Sequence, residues 1–187
     1  HTTARRQRQM CIRDSIKTLL EDGNDTNEFS TDSFSALETV TVSDTTLDGS
    51  KLASAIDEAN EATGDASVVF TISAANEIEG SEDDFTALLT DNDNGQIEIT
   101  TQDITVTGEI SVDNVNDLDT ATEGTITAAI TTTERVSELK TLTGTHAYTI
   151  VISGDDADTS SADDLTTING KTSVAVSLAN VTELTAS

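Results

Sequence analysis

Apolar residues recur along this chain in two rhythms. The first has period two: Val40 and Val42 in "ETVTVSD", Ile104 and Val106 in "DITVTG", Ile126, Ala128 and Ile130 in "TITAAI", Val174 and Val176 in "TSVAVSL". Alternation of apolar with small polar residues reads as a β-strand with one covered face. The second is confined to "GSKLASAIDEANEATG", Gly49 to Gly64. There Leu52, Ala55, Ile56 and Ala59 fall at helical spacing and form one apolar stripe. Ser50 is positioned as the N-cap, Asp57, Glu58 and Glu61 occupy the other face, and Gly64 supplies a stop. The "SVVFTIS" that follows reads as a strand.

Beyond this helix the chain repeats a plan. "EISVDNVNDLDTATEG", "TITAAITTTERVSELKTLTG", "AYTIVISGDDADTSSADDLTTING" and "TSVAVSLANVTELTAS" each hold an alternating segment, a polar turn and a leucine three residues after a small or apolar one. The pairs are Val115–Leu118, Val136–Leu139, Ala162–Leu165 and Val181–Leu184, with leucines 21, 26 and 19 residues apart. Gly124, Gly144 and Gly170 close three units, and "SEDDFTALLTDNDNG" is a longer version with Phe85–Leu88 and Gly95. One strand and one short helical turn per unit, at this period, predict a mainly β protein. The expected fold is a parallel β-solenoid or β-helix with an N-terminal capping α-helix and short helical turns between strands. Leu118, Leu139, Leu165 and Leu184 would line a shared interior, and the Leu52–Ala59 stripe would cover the open end of the stack. The expected divisions are residues 1–15, a polar linker over 16–38, the capping helix and first rungs over 39–109, and Thr-rich repeats over 110–187.

Composition sharpens this picture. Hydrophobic residues make up 35% and aromatics 3%, with no Trp and no Pro. A globule of this length ordinarily buries more large side chains, whereas a stack manages with Val, Ile, Leu and Ala. A disordered acidic spacer is the competing reading. Arg5, Arg6, Arg8, Arg13 and Lys17 are five of the nine basic residues, so 34 acidic residues face 4 basic ones from Thr18 onward, a net charge of −30. Such a surface repels nucleic acid and anionic membrane and attracts cations. Its self-repulsion weakens at the salt of seawater, where the Debye length is about 4 Å, which suits an extracellular or cell-surface setting. The single cysteine, Cys11, excludes an intramolecular disulfide and a cysteine zinc cluster. No apolar run is long enough to insert into a membrane. The basic opening "HTTARRQRQMCIRDS" resembles a translated sequencing-adapter tail; the rival reading is a basic arm for an acidic partner. Opening on His1 and stopping within a repeating pattern, the chain reads as a fragment.

The helix and its sequel carry a resemblance. "GSKLASAIDEANEATGDASVVFTI" resembles the opening motif of secreted right-handed parallel β-helix proteins, matching at Gly49, Ser50, Leu52, Ala55, Ile56, Ala59, Asn60, Gly64, Asp65, Val69 and Phe70. Lys51 intrudes before the leucine, and Ala53 stands where that family has an arginine. "LTGTHAYTIVISGDDADTSSADDLTTINGKTSVAV" is similar to the Thr-rich repeats of very long bacterial surface proteins. Both resemblances imply export and display, and neither carries a defined activity.

Candidate chemistry is sparse. Outside the opening tail His146 is the sole histidine, placed in "GTHAYT" and read as a turn residue rather than a general base. Lys51, Arg135, Lys140 and Lys171 are too scattered among the acids to receive an anionic polysaccharide. Two turns concentrate oxygen ligands of the kind calcium requires: Asp91, Asp93 and Asn94 in one, Asp155, Asp156 and Asp158 in the other. Neither has helix–loop–helix calcium spacing, so they are candidates for weak stabilising sites beside the plainer reading of solvated turns. The function expected is a non-enzymatic structural or adhesive segment of a large secreted or cell-surface protein. It would require no cofactor, calcium being possible, and would meet a surface, a polysaccharide or further repeats of its parent. The alternative is a calcium-assisted carbohydrate-binding or carbohydrate-cleaving β-helix.

Overall fold

Four aliphatic side chains, Leu47, Ile78, Ile104 and Ile126, register one against the next through the protein interior, each at most 1% exposed. They lie on neighbouring strands of a computed structural model that describes residues 39–42, 45–63, 68–72, 77–152, 160–178 and 181. The strands there are β1 (Thr39–Val42), β2 (Thr46–Asp48), β3 (Val69–Ile72), β4 (Glu77–Gly80), β5 (Asp103–Ile110), β6 (Ile126–Ile130) and β7 (Ala147–Thr149). β2, β4, β5, β6 and β7 form one sheet in that order, and β1 and β3 form another. All pairings are parallel.

Parallel neighbours cannot be joined by a hairpin, so the chain must cross over between them, usually through a helix. Those crossovers hold α1 (Gly49–Thr63), α2 (Glu82–Asp93), α3 (Val112–Ala121) and α4 (Val136–Leu139), while α5 (Ala162–Asn169) follows β7. Three of the helices start on a serine whose side chain accepts a backbone N–H: Ser81 from Asp84, Ser111 from Asn114 and Ser161 from Asp164. Asp84 and Asp164 return the bond, closing capping boxes. α1 is capped differently. The Asp48 carboxylate accepts from the Lys51 N–H at 3.2 Å, which leaves Ser50 inside the first turn rather than at the cap.

The helices press their apolar stripes onto the strand column. Leu52, Ala55, Ile56 and Ala59 of α1, Phe85 and Leu88 of α2, and Val115 and Leu118 of α3 are all buried in one core with the strand residues. α5 departs from expectation: Ala162 is exposed, Leu165 is partly buried, and Ile168, at 0% exposure, is its anchor. Leu184 lies outside the described residues.

These features correct the expected fold class. The protein is a mixed α/β fold with a five-stranded and a two-stranded parallel sheet and five described helices, not a mainly β solenoid. Segments read as short turns are helices of 12, 10 and 8 residues, while the strands run from three to eight. Repeating leucine pairs could not distinguish these cases, because spacing i, i+3 fits one helical turn as well as several. α1 is not an end lid either. It leaves β2 directly and lies beside α2, touching β2 and β4, as one member of a row of helices. Among the described residues no helix is long and apolar enough to cross a membrane.

Side chains also bind each segment to the next. The Glu82 carboxylate at the start of α2 accepts the Ser111 N–H at 3.0 Å, the Ser111 hydroxyl at 2.7 Å and the Asn114 amide at 2.7 Å, all at the start of α3. The Ser111 N–H bond lowers the Glu82 pKa, burial opposes it, and the two side-chain donors lower it further. Glu134 accepts the Val112 N–H at 2.9 Å, and Asp103 accepts the Thr125 N–H at 2.7 Å. Part of the acidity thus serves backbone donors that the crossovers leave unpaired.

Candidate functional site

A second polar cluster joins α3 to the approach to β7. The apolar stripe of α3 turns Val115 and Leu118 inward and leaves Asp119 part-buried on the flank, where it meets His146. His146 Nε2 lies 2.5 Å from the Asp119 Oδ1, and the Ile126 N–H donates to His146 Nδ1 at 3.2 Å. A nitrogen that accepts carries no proton, so the ring proton sits on Nε2 and points at the carboxylate. Gly144 makes this possible. With φ of +64° it passes so close that a Cβ there would lie 2.5 Å from both Asp119 Oδ1 and His146 Nε2.

The electrostatics follow from the packing. Burial alone would raise the Asp119 pKa, but hydrogen bonds from His146 and Thr143 and the charge of Lys171 outweigh it, and the net shift is downward. Tyr148 is completely buried beneath, its ring 5.5 Å from that of His146 and tilted by 56°. Burial first, and the Asp119 charge second, push the Tyr148 hydroxyl above its ordinary range. Its oxygen meets no hydrogen-bond partner among the described residues. Beside Asp119 a cleft of about 310 Å³ opens, lined by Thr100, Thr101, Thr120, Ala121, Thr122 and Glu123 with Asp119.

This geometry limits the chemistry. With one nitrogen occupied by a backbone N–H and the other by a carboxylate, His146 has no lone pair to offer a substrate as a general base. The cleft has hydroxyls and carboxylates, with neither a cation nor an aromatic platform.

The candidate calcium ligands fare differently from one another. Asp91 points inward from the last turn of α2 and is 7% exposed, whereas Asp93 and Asn94 lie on the surface. Asn94 is the C-cap of α2, its N–H donating to the Thr90 and Asn92 carbonyls. Asp155, Asp156 and Asp158 lie outside the described residues. Among the described residues no group of three or more His, Cys, Asp and Glu is placed to hold a metal ion.

Asp91 is instead an acid under stress. Burial, then the charge of Asp57 on α1, raise its pKa to about 6. It also stands at the carboxyl end of α2, where the helix dipole disfavours an anion and the last turn has no basic residue. A carboxyl whose folded pKa exceeds its unfolded value of 3.8 destabilises the fold wherever it is ionised. The penalty is absent below about pH 4, grows between pH 4 and 6, and is fully present above pH 6. We expect Asp91→Asn to raise the unfolding free energy by about 1–3 kcal/mol at pH 7.5, at 1.36 kcal/mol per pKa unit, and to change it little at pH 4. Urea unfolding of both proteins across that range checks this; a difference independent of pH would contradict it.

No family model matches the chain, and comparisons with curated proteins and with solved structures return no match either. Nothing in the sequence reading paired His146 with Asp119. The one available signal was Gly144 two residues before His146, and a glycine ending a repeating unit has an ordinary explanation as a turn.

Proposed function

We propose that this chain is a non-enzymatic structural and adhesive segment of a large secreted or cell-surface protein, touching its target through many weak contacts. The observation that carries this reading is the engagement of both His146 ring nitrogens, which removes the one described imidazole from acid–base work. Two further features support it. The outward positions of the five-stranded sheet are mostly threonines and carboxylates, including Thr46, Asp48, Glu79, Asp103, Thr105 and Thr127, a hydrophilic face without an aromatic or a cation. The acidity also tolerates the ionic strength of an extracellular medium better than a dilute one, because salt screens exposed like charges. Weak contacts of this kind gain strength when many are presented together.

The cleft beside Asp119 favours a second reading, calcium-assisted carbohydrate binding, since its hydroxyls and two carboxylates are hydroxyl and cation acceptors. One experiment separates the readings. Beads coated densely with the protein are incubated with neutral polysaccharides, with calcium or with chelator, alongside the monomeric protein. Adhesion that depends on coating density and survives chelation supports the first reading. Monomer binding that requires calcium and is lost in Glu123→Gln supports the second. Release of new reducing ends, retained on repurification, would overturn a non-enzymatic role.

A further inference from the structure

The chain contains two Asn-Gly pairs, Asn94–Gly95 and Asn169–Gly170, and the structure treats them unequally. Asparagine followed by glycine is chemically vulnerable, because no Cβ shields the next amide nitrogen from the asparagine side chain. We propose that Asn94 is a site of spontaneous deamidation, with water as the co-reactant and the Gly95 amide as the attacking group. A hydroxide ion removes the Gly95 amide proton, the nitrogen attacks Asn94 Cγ, and an N–Cγ bond forms as the Cγ–Nδ2 bond breaks. Ammonia leaves, taking up a proton from water. Water then adds to either carbonyl of the resulting succinimide, opening it to aspartate or isoaspartate.

The geometry favours Asn94 over Asn169 and the other asparagines whose bonds the structure describes. It is exposed and stands just beyond the last helical residue of α2. Gly95 has a φ of +73° with nothing within 4 Å of where a Cβ would lie, so the pair has room to rotate into the cyclic intermediate. Its N–H is held by one turn bond, 3.0 Å to the Asn92 carbonyl. Asn169, by contrast, lies within α5, and the Gly170 N–H completes a helical bond of 3.1 Å to the Thr166 carbonyl. Reaction there requires unwinding the helix end. Three other described asparagines are pinned as well as lacking a following glycine: Asn92 Oδ1 accepts the Ile99 N–H, Asn114 donates to Glu82, and Asn116 Oδ1 accepts the Thr143 N–H.

Conversion has a structural consequence. It places another carboxylate at the carboxyl end of α2, beside Asp91 and Asp93, where the dipole already opposes negative charge. Isoaspartate also lengthens the main chain just before Gln96, whose carbonyl accepts the Phe70 N–H at 2.7 Å. Aged protein therefore loosens where α2 returns to β3.

The full chain, incubated at mildly alkaline and at mildly acidic pH, is digested and mapped by mass spectrometry with isoaspartate-specific methyl labelling. The expected result is conversion at Asn94 severalfold faster than at Asn169, faster at the higher pH, with isoaspartate among the products. A fall in melting temperature should accompany it in the wild type and be absent from Asn94→Gln, whose longer side chain closes the ring slowly. Retention of the Asn94 amide while Asn169 converts, or aspartate as sole product, would overturn the proposal.

Discussion

Replacing Ile104 by alanine is expected to lower the unfolding free energy by about 2–5 kcal/mol, and by valine by only about 0.5–1.5 kcal/mol. Ile104 is fully buried in the middle of the registered column, with Ile78 on one side and Ile126 on the other. Deleting its outer carbons therefore leaves a void bounded by two strands that cannot both close on it. The backbone holds them apart, since parallel strands keep a spacing of about 4.8 Å whatever their side chains. Helices on the other side of the core are tied too, through Glu82 to Ser111 and Asn114. Collapse being obstructed from both directions, the alanine cost should fall in the upper half of the range. Equilibrium denaturation of the two variants measures it, and an alanine cost below that of valine would show that the column is not the continuous core described here.

The second large effect is expected at Gly124, on steric grounds. A Cβ there would lie 2.1 Å from the Gln102 carbonyl oxygen and 2.9 Å from the Asp103 nitrogen. These are backbone atoms and cannot rotate aside. The segment around Gly124 is moreover clamped to that stretch: the Thr122 hydroxyl donates to the Gln102 carbonyl at 2.7 Å, and the Glu123 N–H donates to the Thr100 carbonyl at 2.8 Å. Gly124→Ala should cost about 3 kcal/mol, the upper end for overpacking, and open the cleft beside Asp119, because Thr122 and Glu123 line it. Gly170→Ala provides the contrast. Its added Cβ would approach nothing closer than 3.3 Å at an unexceptional φ, so its stability should stay within about 0.5 kcal/mol of wild type. Thermal melts of the pair decide the matter; equal losses would place the cause outside the Gln102 contact.

Gly124 and Gly170 illustrate what could be read in advance. Both end a repeating unit in the sequence, and nothing in their neighbours marks one as pressed against another strand and the other as a tolerant helix end. The same division runs through the candidate site. Asp91, Asp93 and Asn94 are adjacent in a ligand-rich turn, yet Asp91 enters the core while the other two remain on the surface. A turn's composition is visible along the chain, but the direction of each side chain depends on which helix packs against it, here α1 with Asp57.

By itself the sequence determined the local elements: Val40 and Val42 facing inward from a strand, Leu52, Ala55, Ile56 and Ala59 forming a helical stripe, and Phe85–Leu88, Val115–Leu118 and Val136–Leu139 as buried pairs. These are properties of side-chain periodicity, which neighbouring residues dictate. Only the tertiary structure decided how far each helix extends, that α1 lies beside α2, and that the fold is mixed α/β. It alone placed His146 against Asp119 and Ile126, residues 27 and 20 positions away. Helix length and side-chain pairing across such distances depend on what is buried against what, and burial is settled only when the separate segments pack together.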